Sequence, residues 1–156
     1  MRKLFFLVLA CALIATATRA QSLPYNANYS SNFKIGTHDL SSMVLKLYKE
    51  YEANDFKNES WFADTVMVIL PNGQVLQGKE TVLNTFKEAR RSDGDTKFEF
   101  DAILPAISVD RKENWVCLWG NSTTGQGKSE FQAIWRINKD RKVDFIKLFT
   151  AQATQQ

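Results

Sequence analysis

The chain has 156 residues, 20 of them Lys or Arg and 17 Asp or Glu, with only two cysteines. The first twenty residues hold three of the cations (Arg2, Lys3, Arg19) and no acid, so the remainder balances at 17 against 17 and carries no field that would draw nucleic acid or anionic lipid. Beyond residue 20 Cys117 is the only cysteine, which excludes an internal disulfide, and the 136 residues left suffice for one core but not two.

MRKLFFLVLACALIATATRA joins two early cations to an apolar stretch from Leu4 to about Ala15 and small residues before Gln21, the pattern of a secretory signal. The stretch is shorter than the roughly 18 residues a bilayer span requires. The expectation is a signal peptide over residues 1–20 and a secreted or periplasmic chain starting at Gln21, with no membrane attachment afterwards. Acylation at Cys11 is the competing reading; it leaves ALIATAT as an odd apolar start.

Residues 21–36, QSLPYNANYSSNFKIG, lack a sustained apolar period and read as an N-terminal arm. A helix follows in THDLSSMVLKLYKEYEANDF, capped by Thr37 or Asp39, with Val44, Leu47, Tyr48 and Tyr51 three and four apart; Asn54-Asp55 breaks it. A short second helix is expected through Asn58 to Trp61. TVMVIL (65–70) reads as a strand, Pro71-Asn72-Gly73 as a turn and Gln74 to Leu76 as a short return strand. Val82, Leu83, Phe86 and Ala89 then mark a helix over Lys79 to Arg91, stopped by Ser92-Asp93-Gly94-Asp95. Arg90-Arg91 reads as solvated surface.

The rest is strand and turn: KFEFDAILPAISVD, ENWVCLWGNST, SEFQAIWRINK and KVDFIKLFT, with GNSTTGQGKS and NKDRK as loops. Helices followed by a meander of long strands is an α+β pattern. Phe131, Ala133, Trp135 and Ile137 share one face of their strand, so one side of the sheet is dry. Helices of this length over a strongly curved sheet can leave an apolar hollow. In KFEFD the acids Glu99 and Asp101 alternate with Phe98 and Phe100. If the phenylalanines point inward the acids meet water; in the opposite register two carboxyls enter the hollow. The many aromatics, among them Trp61, Trp115, Trp119, Trp135, Tyr48, Tyr51, Phe62, Phe86 and Phe131, read either as packed core or as the lining of a site for a flat, greasy ligand. His38, the only histidine, has no partner at ligand spacing, so neither a metal nor an organic cofactor is expected. Cys117, inside WVCLW, reads as a buried inert thiol.

YKEYEANDF followed by WFADTVMVILPNGQVLQGKETVLNTF resembles the opening of SnoaL-like proteins of the nuclear transport factor 2-like superfamily, and FQAIWRINKDRKVDFIKLF is similar to that superfamily's last two strands. The resemblance covers about residues 38–150. One departure is Arg141, standing where the final hairpin usually has glycine, so that the turn either takes a different geometry or leans on Asn138 and Asp140 to tolerate a positive φ. The resemblance implies a SnoaL-like domain over residues 37–152: an α+β cone in which three N-terminal helices pack on a strongly curved, mixed and mostly antiparallel sheet around a pocket. It also implies pairing of two copies through their sheets, where Ile134, Phe145 and Phe149 would meet. Superfamily members include isomerases, cyclases, dehydratases, hydrolases and binding modules, so fold alone fixes no activity.

Set against ketosteroid isomerase, whose Asp base works with a Tyr and a protonated Asp, the resemblance lays the Tyr near Leu47, the base on Leu70 and the protonated Asp on Ala133. All three polar roles are apolar here. Asp64 matches an acid at the pocket's outer edge and reads as a structural hydrogen-bonding group. The expectation is therefore a ligand-binding cone that holds a small apolar or aromatic molecule against Leu47, Tyr51, Trp61, Leu70, Phe86, Trp119, Ala133 and Trp135, in a homodimer. The alternatives are a lyase or isomerase using a relocated acid, Asp101 or Tyr51, and a homodimeric module without ligand.

Overall fold

In the computed structural model residues 27–152 are described, so the leader read over residues 1–20 lies outside them. Helix α1 (His38–Ala53) forms because Leu40, Met43, Val44, Leu47 and Tyr48 recur on one face, and all five are buried. Thr37 is its N-cap, and Asn54, at φ 52°, closes it in the left-handed conformation that Asn tolerates. The expected second helix is a single 3-10 turn, Glu59–Trp61, because three residues without an apolar stripe cannot sustain an α-helix. Among the described residues two α-helices, not three, cover the sheet.

Strands β2 (Phe62–Ile69) and β3 (Val75–Gln77) form a hairpin in which Asn72 Oδ1 accepts the Gln74 N–H at 2.9 Å. Helix α2 (Lys79–Asp93) buries Val82 and Leu83, and β4 (Lys97–Ser108), β5 (Glu113–Thr124), β6 (Gly127–Ile137) and β7 (Val143–Gln152) follow. The loop read over GNSTTGQGKS is much shorter: β5 pairs with β6 as far as Thr124 and Gly127, leaving Gly125 and Gln126 as the connection. Phe33–Ile35 of the presumed arm form strand β1 on the edge beside β4. The sheet runs β1-β4-β5-β6-β7-β2-β3, antiparallel throughout except where β7 lies parallel to β2.

A slip in register between Phe100 and Ala102 leaves Asp101 unpaired on β4. Phe98 and Phe100 lie opposite Ser122 and Gly120 at this bulge, and the strands approach so closely that a Cβ on Gly120 would stand 2.1 Å from the Glu99 carbonyl oxygen. A bulge facing a strand glycine bends a sheet sharply. The bend opens space beneath the helices.

Arg90 does not sit idle in solvent. Its guanidinium donates to the carbonyls of Tyr51 (2.7 Å), Glu52 (2.9 Å) and Gly94, so one side chain satisfies carbonyls at the C-terminal ends of both helices. Glu52 continues the link by accepting the Phe98 N–H at 2.8 Å. In the last hairpin Asn138 Oδ1 accepts the N–H groups of Asp140 (3.0 Å) and Lys142 (2.9 Å), but the residue that takes positive φ, 57°, is Arg141 itself. On the sheet's outer face Tyr29 donates to Glu113 at 2.6 Å and accepts from Arg136 at 2.9 Å, its ring edge-on to Trp115.

Candidate ligand-binding cavity

Between α1, α2 and the bent end of the sheet lies a cavity of about 300 Å³ with mostly apolar walls. Tyr48 organises it. The register that turns Phe98 and Phe100 inward brings their rings edge-on to Tyr48, at 4.8 and 5.1 Å, while Phe131 and Trp135 of β6 approach it at 5.9 and 5.5 Å. Edge-to-face pairs contribute roughly 0.5–1.5 kcal/mol each beyond burial, so this wall is firm.

Polar groups gather at the rim. Glu50 accepts from the backbone N–H of Asn58 at 3.0 Å and from its side-chain amide, Glu59 pairs with Lys87, and Asp93 accepts the Tyr51 hydroxyl at 3.1 Å. Burial, and then the Asp93 charge beside it, hold the Tyr51 phenol above its ordinary range, so it stays a neutral donor. Deeper in, burial pushes the Tyr48 phenol up as well. The Trp135 indole stands near enough to oppose a little of that shift, yet no hydrogen bond of ordinary geometry joins the two. The indole N–H is sealed from solvent and has no partner. An unpaired buried donor costs about 1–3 kcal/mol.

No family model matches the sequence, and no curated protein matches it. Solved structures do. A SnoaL-like protein of unknown function from Burkholderia thailandensis E264 superposes with a TM-score of 0.60 at 21% identity, over 76% of this chain and 99% of that one. A steroid delta-isomerase from Pseudomonas aeruginosa gives 0.56 at 13% identity over 85% of each chain. The orange carotenoid protein of Anabaena (Nostoc) sp. PCC 7120, in a structure binding canthaxanthin, gives 0.62 at 18% identity over 88% of this chain and 45% of that one. This chain has the SnoaL-like, nuclear transport factor 2-like fold.

In this SnoaL-like cone Leu47, Tyr51, Leu70, Phe86 and Trp135 stand around the cavity. Ala133 is fully buried on the same face of β6, paired with Leu118 in the packed core, and is not in the cavity wall. Trp119 faces the other way, 36% exposed, because Val116, Leu118 and Gly120 take the inner side of β5. Trp61 lines a separate charged depression with Asp39, Lys46 and Arg141. Tyr48 and Phe131, which read as either core or lining, belong to the cavity, as do Phe98 and Asp93, which the expected site does not include.

Several candidate groups lie outside it. Asp64 is exposed and pairs with Lys79, whose ammonium holds the carboxyl below its usual range. Asp101 is exposed on the bulge and Glu99 faces Lys128 at 3.7 Å, so the KFEFD register turns its phenylalanines inward and its acids to water. His38 is exposed at the first residue of α1. Cys117 is half-buried on the outer face, where burial raises its thiol.

The two raised phenols carry a pH signature. A group whose folded-state pKa lies above its unfolded value stabilises the fold fully below the unfolded value, near 10 for tyrosine, and loses that contribution as pH climbs beyond it. In a spectrophotometric titration Tyr48 and Tyr51 should therefore ionise only as the protein unfolds in alkali. Asp93→Asn, which removes the neighbouring charge but keeps an acceptor, should bring the Tyr51 ionisation down; an unchanged titration curve would show that the two groups are not coupled.

Proposed function

We propose that this chain is an exported binding module that holds a small apolar or aromatic molecule in its cone. The observation that carries the reading is the aromatic cavity of about 300 Å³, whose carboxylates are confined to the rim and already occupied by Asn58, Lys87 and Tyr51. A hollow of this kind gains its affinity from apolar area withdrawn from water, at about 25 cal/mol per Å². The fold's occurrence in a steroid isomerase and in a carotenoid-binding protein supports a ligand of that class. The leader before Gln21 supports delivery to the periplasm or beyond.

The test uses N-phenyl-1-naphthylamine, an uncharged dye that brightens in apolar surroundings, added to the chain beginning at Gln21. A saturable rise in emission with one dye per chain is expected. It should be lost in Ala89→Phe, which fills the cavity from α2. No saturable rise, or the same rise in the filled variant, would sink the proposal.

A second reading, catalysis, is favoured by the Tyr51–Asp93 pair, where a phenol and a carboxylate touch at the rim of the hollow. Its difficulty is chemical: a phenol held above its ordinary range is a weak acid at neutral pH. Pairing of two copies is proposed for the outer sheet face, where Leu104, Trp119 and Phe149 are more than a third exposed around Cys117 and Ile134. Light scattering at micromolar concentration decides it, and a monomer removes it.

A further inference from the structure

Every charged residue in the cavity lining is acidic: Glu50, Glu59 and Asp93 stand there, and among the described residues no Lys, Arg or His does. Neighbouring cations leave two of these charges standing. Lys87 pairs with Glu59, and Lys57 pairs with Asp55. Arg90 donates to carbonyls at the C-terminal ends of both helices. Each of those ends carries roughly half a negative charge, so the guanidinium is balanced where it sits. Glu50 and Asp93 are bonded to neutral groups, the Asn58 amides and the Tyr51 hydroxyl, and keep their charge. Their placement works against the helices. Glu50 lies in the last turn of α1 and Asp93 is the last residue of α2, the ends at which the helix dipole repels an acid. Helix stability therefore does not explain them, and both line the same hollow. Two rings of that lining, Tyr51 and Phe56, meet edge to face at 6.1 Å. An aromatic face attracts a cation as a carboxylate does.

We propose that the cavity takes an organic cation, with an apolar body inside the hollow and one ammonium head, protonated or quaternary, at the mouth beside Glu50, Asp93 and the Tyr51 ring. This rests on the binding reading above and adds the ligand's charge and orientation to it. The orientation follows from solvation: the apolar end gains by leaving water, whereas an ammonium among Phe98 and Phe131 would give up its hydration with no carboxylate beside it. At the mouth the head keeps part of its water and gains the two acids. A carboxylate head in the same place would face both charges.

Three naphthalenes with different heads test this by displacement of N-phenyl-1-naphthylamine: the quaternary trimethyl(2-naphthylmethyl)ammonium, its uncharged isostere 2-neopentylnaphthalene, and the anion 2-naphthylacetate. The native chain should bind the ammonium at least as tightly as the isostere and about tenfold more tightly than the acetate. Glu50→Gln and Asp93→Asn each remove one charge and keep an acceptor, and each should reduce the preference for ammonium over acetate about threefold. Glu80→Gln, which removes an exposed acid at the start of α2 outside the cavity lining, should leave that preference unchanged. An ammonium that binds more weakly than its isostere, an acetate that binds as tightly as the ammonium, a preference undiminished in both rim variants, or an equal loss in Glu80→Gln would each overturn the cation assignment while the cavity reading stood. Failure of the native chain to bind any of the three, or the dye, would remove the binding reading and this inference with it.

Discussion

Gly120→Ala is expected to be among the most damaging single-methyl changes in the molecule. The added Cβ would stand 2.1 Å from the Glu99 carbonyl oxygen and 3.0 Å from the Phe100 Cα, both backbone atoms that no rotamer change can move aside. Overpacking a well-filled site costs typically 1–3 kcal/mol when side chains can shift. Here β4 and β5 must separate at the bulge, so a loss of more than about 3 kcal/mol is expected. Gly73→Ala is the control. Its φ of 85° also disfavours alanine, but nothing lies within 4 Å, so only the backbone preference, roughly 1 kcal/mol, is lost. Urea unfolding of the two variants side by side measures the difference. A Gly120→Ala protein no less stable than Gly73→Ala would mean that the bend does not depend on close strand approach.

Arg90→Ala is expected to cost about 2–4 kcal/mol, because charge-assisted hydrogen bonds are worth about 1.5–3 kcal/mol each and three carbonyls share this one guanidinium non-additively. Arg90→Lys should recover little, since an ammonium cannot span three acceptors in the geometry of a planar fork. Arg91→Ala next door, at an exposed position, should stay within about 0.5 kcal/mol of the native protein. Dye affinity should fall along with stability at position 90, because the same contacts set the end of α1 that carries Tyr51 toward Asp93. Equal thermal midpoints for the two arginine variants would reduce Arg90 to an ordinary surface charge.

The contrast between those two arginines shows what the amino-acid order could and could not reveal. Their sequence contexts are alike, and only the packing of α2 against the end of α1 separates a capping guanidinium from a solvated one. The apolar stripe of α1 and the strands of the meander were legible because their periodicity is local. Trp119 was read into the site because both faces of WVCLW are apolar. Its side of the sheet is fixed by the pairing of Val116 with Trp135 and Leu118 with Ala133, which a local pattern does not contain. The polar run Asn121 to Thr124 reads as loop for a similar reason: it is held in the ladder by partners on β4 and β6, not by burial of its own. Tyr48 lay on the recognised stripe, but periodicity cannot distinguish a packed ring from one that borders a void. Asp93 reads as a helix stop, and its meeting with Tyr51 spans 42 positions.

The parallel pairing of β7 with β2 has a consequence for how the molecule comes into being. Strand β7 is wedged between β6 and β2, and among the described residues no other strand bridges the two parts of the sheet. Until residues 143–152 take their place, the β2–β3 ribbon is held to the fold through α2 and has no neighbour in the sheet, so closing the sheet waits on contacts between distant parts of the chain. Pairing of this kind forms slowly, because loop entropy is lost before the contacts reward it.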